Sequence, residues 1–116
     1  MDREKEFLEN LAEAYKTYDA SVVENYLAED MHYASLWVLQ ELTSKAEYMD
    51  YLRGKLLSMQ RSYRTMEFQI VKGNIHKWAL VIVNQPTPDG GSGCFVADLD
   101  DAGKVKMLNI TRYDFS

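Results

Sequence analysis

Few side chains in this sequence are of a type and spacing that could do chemistry. Any imidazole base or ligand must come from His32 or His76, and any thiol nucleophile from Cys94, the single cysteine. Neither histidine belongs to a recognisable ligand motif, so no metal site is expected. His76 follows the Gly73-Asn74 turn, where a solvated imidazole is commonplace. No histidine or second cysteine neighbours Cys94, so its thiol reads as structural, and no internal disulfide can form. Asp98 reads as a solvated or ion-paired carboxylate, and Asp100-Asp101 as part of a turn. The stretch Pro86-Thr87-Pro88-Asp89-Gly90-Gly91 lacks a phosphate-cradle pattern and reads as a hairpin loop.

The elements that must position these side chains are legible from periodicity. Phe7, Leu8, Leu11, Ala14, Tyr15 and Tyr18 recur at three- and four-residue steps, predicting a helix over Glu4 to Tyr18. Ser21-Val22-Val23-Glu24 has the form of a capping box and predicts a short second helix ending near Asp30. Ser44-Lys45-Ala46-Glu47 repeats the device, and the stripe Ala46, Met49, Leu52, Leu56, Met59 predicts a long third helix to about Gln60. Between them, Met31 to Trp37 fits a strand and Val38 to Leu42 a short return strand. After the third helix the period becomes two. Arg64–Lys72, His76–Gln85, Gly93–Leu99 and Lys104–Tyr113 are expected as four strands of an antiparallel meander.

Composition narrows the function classes. The chain has 116 residues, 47% hydrophobic and 27% charged, which suits one globular domain over residues 1–116. The net charge of -5 is spread out and the basic residues form no stripe, so nucleic acid is not an expected partner. No apolar run approaches the roughly 20 residues that span a bilayer, and the first residues lack a secretory core. The expectation is a cytoplasmic protein without a membrane partner.

The element order, helix, helix, strand pair, long helix and four antiparallel strands, resembles that of the α+β cystatin-like cone. In that fold three N-terminal helices pack in a strongly bent, mostly antiparallel sheet of about six strands. The segment Asp19 to Asp30, ending in Ala28-Glu29-Asp30, is similar to the helix-two signature of the SnoaL-like and nuclear-transport-factor-2-like superfamily. Asp100-Asp101-Ala102-Gly103-Lys104-Val105 resembles its last hairpin, and Arg112-Tyr113-Asp114 its common ending. These are signatures of fold and carry no chemistry.

The resemblance allows a direct test for one activity. Ketosteroid isomerases of this superfamily use an aspartate base, a helix-one tyrosine and a protonated aspartate. Gap-free alignment brings Ser35, Leu11 and Phe95 to these positions, and none can do the job, so that chemistry is expected to be absent. Tyr15, one turn beyond Leu11, is the nearest substitute.

The same registers imply that Tyr33, Ser35 and Trp37, then Phe95, Ala97 and Leu99, then Leu108, Ile110 and Arg112 face the pocket. His32, Cys94 and Asp98 would face out. Tyr15, Tyr33, Ser35, Trp37, Trp78 and Arg112 are the candidate ligand-binding residues, with Arg112 pairing an anionic group, answering Glu41, or lying outside after a bulge flips the strand's alternation. No catalytic residue can be named, and no cofactor is implied. Trp78-Ala79-Leu80-Val81-Ile82-Val83 is apolar on both faces, and the superfamily commonly dimerises through the outer sheet face.

The first reading is therefore a homodimeric cone domain that binds a small apolar or anionic ligand, with acid–base chemistry on a carbonyl compound if it is an enzyme. The alternative is a non-catalytic accessory or protein-interaction domain whose cone is plugged by Trp37, Trp78 and Phe95.

Overall fold

The structure is a computed structural model that describes residues 2–36, 41–72, 77–86 and 90–113. Helix α1 spans Arg3–Thr17, α2 Ser21–Glu24 and α3 Lys45–Arg61. The strands are β1 Leu27–Ser35, β2 Phe68–Lys72, β3 Trp78–Pro86, β4 Ser92–Leu99 and β5 Val105–Arg112. They form one sheet in the order β1-β5-β4-β3-β2, in which β2 to β5 are an antiparallel meander and β1 runs parallel to β5.

The helices start and stop for local reasons. Asp2 caps α1 by accepting from the Lys5 N–H, and the Ser44 hydroxyl accepts from the Glu47 N–H at the start of α3. At α2 the expected box is not formed. Asp19 does the work instead, its carboxylate accepting from both the backbone N–H (3.0 Å) and the hydroxyl (2.7 Å) of Ser21.

Two expectations about boundaries are corrected. The second helix ends at Glu24, and Leu27 to Asp30 are already strand. The Val105 N–H donates to the Tyr26 carbonyl at 2.8 Å, so pairing with β5 draws these residues out of the helix. The sheet has five strands where about six were expected. Of the expected return strand only Leu42 bridges Tyr33, and Val38 to Gln40 lie outside the described residues.

Phe7, Leu8, Leu11, Ala14 and Tyr15 of α1 are buried against the inner sheet face, with Leu80, Ile82, Phe95, Ala97, Leu108 and Ile110 opposite. On α3 the buried stripe is Tyr48, Met49, Leu52, Leu56 and Met59. Ala46, expected in it, is exposed, and Tyr48 takes its place. A smaller cluster, Ala79, Val81 and Cys94, lies on the outer face with Val71, Val96 and Tyr113 packed on it. Part of the cover for that face therefore comes from the chain itself. Among the described residues no helix is long and apolar enough to cross a membrane.

Candidate functional site

The face assignments read from alternation place the inner wall. Tyr33, Phe95, Ala97, Leu108 and Ile110 are all buried on the helix side, and Cys94 is buried on the other. Burial alone pushes the Cys94 thiol up to about 11, so it stays protonated and inert near neutral pH. His32 is outside as expected, its Nδ1 lying 2.7 Å from the Glu41 carboxylate. Asp98 receives Lys77 at 2.8 Å.

Two groups of aromatic rings on the inner face bear on the site. In the first, the ring centroids of Tyr15, Phe68 and Phe95 lie 5.3 to 6.1 Å apart and fill the middle of the cone. In the second, Tyr33 of β1 meets Tyr48 of α3 at 4.9 Å and Tyr51 at 5.4 Å. Tyr48 and Tyr51 both come from the N-terminal half of α3, three residues apart and so nearly one above the other. Such tilted pairs are favourable for rings, but they leave the hydroxyls to find partners of their own.

Two of them do not. The hydroxyl oxygens of Tyr33 and Tyr48 are buried and make no hydrogen bond of good geometry, although Ser35 and Tyr51 stand close to Tyr33. Burial first, and then the neighbouring tyrosines, raises the pKa values of Tyr15, Tyr33 and Tyr48 far above the ordinary phenol value. These phenols therefore remain neutral O–H donors throughout the physiological range. With no base bonded to it, such a pair can hold a carbonyl oxygen or a developing oxyanion but cannot by itself move a proton.

The structure distributes the candidate ligand-binding residues over three places. Tyr15 and Tyr33 are core, at 2% and 1% exposure, and Ser35 is half-buried at the end of β1. Trp78 is set apart from this group: it sits at the start of α1, where its indole N–H donates to Asp2 and the Lys5 and Lys72 ammonium groups lie 4.9 and 5.4 Å from its ring. Its backbone N–H donates to Glu4, so it pins α1 to the sheet. Arg112 shares the parity of Leu108 and Ile110 but is exposed at the end of β5, paired in register with Gly93. Its guanidinium is thus not desolvated in an apolar cavity, and Glu41, its suggested partner, is engaged by His32. Trp37 lies outside the described residues.

Tyr48 and Tyr51 were missed by the sequence reading. Their signal was present, since Tyr48 stands four residues before Leu52 on the same helix face, but Ala46 fits a three-residue step equally well.

No protein-family model matches the chain, and no curated protein matches it in sequence. Solved structures do match in fold. A SnoaL-like protein of unknown function from Burkholderia thailandensis superposes with a TM-score of 0.69 at 13% identity, over 97% of this chain and 96% of that one. A nuclear-transport-factor-2-like protein of unknown function from Burkholderia pseudomallei gives 0.64 at 11% identity, over 97% and 92%. An epoxide hydrolase from M. tuberculosis gives 0.61 at 16% identity, over 96% and 83%. The chain has the α+β cone fold of these proteins, as the sequence signatures implied.

Proposed function

We propose that this chain is a small-molecule-binding cone domain in which Tyr33 and Tyr48 donate hydrogen bonds to a carbonyl oxygen of a mostly apolar ligand. The observation that carries this reading is the pair of buried hydroxyls without partners. Leaving a buried hydroxyl unpaired costs about 1–3 kcal/mol, and a phenylalanine would avoid that cost at either position. Tyr51, half-buried, packs its ring against both Tyr33 and Tyr48, whereas the Tyr15–Phe68–Phe95 end is filled. That the fold is shared with an epoxide hydrolase supports the use of such cones for small molecules.

The test is a comparison of Tyr33→Phe and Tyr48→Phe with the parent, in denaturant melts and in a thermal-shift screen of apolar ketones. Each variant is expected to be more stable than the free parent by about 1 kcal/mol while losing the stabilisation a ketone gives the parent. A loss of 1 kcal/mol or more in the free variants would mean that the hydroxyls have partners, and the reading would fall.

The filled Tyr15–Phe68–Phe95 end favours a second reading, a non-catalytic accessory domain that binds no small molecule. A parent that responds to no ketone, together with Phe variants of unchanged stability, is its signature.

Pairing of two copies through the outer sheet face belongs to the first reading. Val83 is half exposed there, beside the apolar Ala79–Val81–Cys94 cluster and the uncharged Asn109 and Thr111. Light scattering at micromolar concentration is expected to give twice the chain mass of 13.4 kDa, and a mass of one chain would remove the dimer.

A further inference from the structure

We propose that a second binding site lies at the C-terminal end of α3 and takes an anionic amphiphile, meaning a carboxylate or similar anion on an apolar body. A hollow of about 450 Å³ opens there, between the last turns of α3, the segment that follows it and the end of β3. That volume falls within the range usual for small-molecule sites. Met59, nearly fully buried, and Met66, half-buried, supply apolar lining that can adapt to an irregular hydrocarbon. Lys55 and Arg64 supply the charge, and among the described residues no carboxylate lines the hollow. In a chain whose net charge is -5, a hollow whose ionisable lining, among the described residues, is cationic selects for anions by its local field.

The walls are held by specific bonds. The Asn84 amide donates to the Thr65 carbonyl at 2.9 Å and its oxygen accepts from the Glu67 N–H at 2.9 Å, latching the segment to β3. The Tyr18 hydroxyl donates to the Arg64 carbonyl at 2.8 Å, and the Arg64 N–H returns to the Met59 carbonyl at 2.9 Å. Arg64 thus has a fixed backbone and an exposed side chain, which suits a residue that closes on a ligand. Beside it, Tyr63 holds a left-handed backbone, φ 56, with its ring 93% exposed. A glycine would take that conformation without strain. Met59 lies eleven residues from Tyr48, roughly 16 Å along the helix, and the hollow approaches the tyrosine pair through Lys55, whose ammonium is 6.0 Å from the centre of the Tyr51 ring.

The probes are decanoate and decanol, which share a chain and differ in charge, followed by amide chemical shifts at low ionic strength. Decanoate is expected to shift Ser58, Thr65 and Asn84 and to bind at least tenfold more tightly than decanol. Lys55→Gln combined with Arg64→Gln is expected to weaken decanoate at least tenfold and leave decanol unchanged. An unaltered thermal melt of that variant excludes misfolding as the cause. Tyr33→Phe is expected to leave decanoate binding as it is, so loss of binding in that variant would move the ligand into the cone and overturn the second site. Equal affinity for the two probes would also overturn it, as would indifference to the double substitution. Shifts at the same amides with hexaglutamate but not with decanoate would assign the surface to an acidic peptide and end the amphiphile proposal.

Discussion

Replacement of Phe95 by alanine is expected to destabilise the protein by about 3–5 kcal/mol, measured by urea unfolding. The ring is fully buried on β4, its backbone neighbours are Leu80 and Ile110, and its face meets Tyr15 at 5.9 Å and Phe68 at 6.1 Å. Truncation removes both the transfer energy of the ring and its contacts with two other rings, and a sheet strand paired on both sides cannot collapse into the space. With total stabilities of small domains at about 5–15 kcal/mol, one such change consumes a large share. The result also bears on the cone. If Phe95 were the wall of an open pocket, little packing would be lost and the cost would stay near the transfer energy of the ring alone. A loss under about 2 kcal/mol would therefore contradict a filled centre.

The second large effect is alkaline. Tyr15, Tyr33 and Tyr48 all have folded-state pKa values raised above the unfolded phenol value, chiefly by burial. In the unfolded chain they ionise near pH 10. Below that pH their contribution is fully present. Above it the unfolded state sheds protons that the folded state keeps, so stability is lost as pH rises. Each phenol contributes a slope of about 1.4 kcal/mol per pH unit, and the three together about 4. Unfolding is expected to become cooperative and steep between about pH 11 and 12, with the tyrosinate absorbance of these three rings appearing only as the structure is lost. Tyr33→Phe and Tyr48→Phe should each flatten the alkaline limb by about a third. Three phenols titrating near pH 10 in a protein that retains its circular dichroism would show that the aromatic core is open to water.

Local pattern was enough to place the long elements. The three-and-four spacing from Phe7 to Tyr15, the Ser44 to Glu47 box and the period of two after the third helix correspond to α1, α3 and the β2-to-β5 meander. Alternation also determined which side each strand residue faces, because parity along a strand is a local property once one residue is known. On this account Cys94 and Phe95 were assigned to opposite faces from the sequence, and they lie there.

What the sequence could not determine depends on contacts between residues distant along the chain. The chain leaves α2 at Glu24 because β5 offers a parallel partner to Leu27, and no local signal reports a strand some eighty residues away. The rotation of α3 about its axis, which buries Tyr48 in place of Ala46, is set by Tyr33 on the facing strand. Trp78 has inward parity, yet its position along β3 brings it to the start of α1, where Asp2, Glu4 and Lys5 claim it. Arg112 likewise has inward parity but stands where the strand ends, at an exposed position. Parity specifies the direction of a side chain, whereas depth within the cone depends on strand length and register across the whole sheet, so the site itself was decided by tertiary structure.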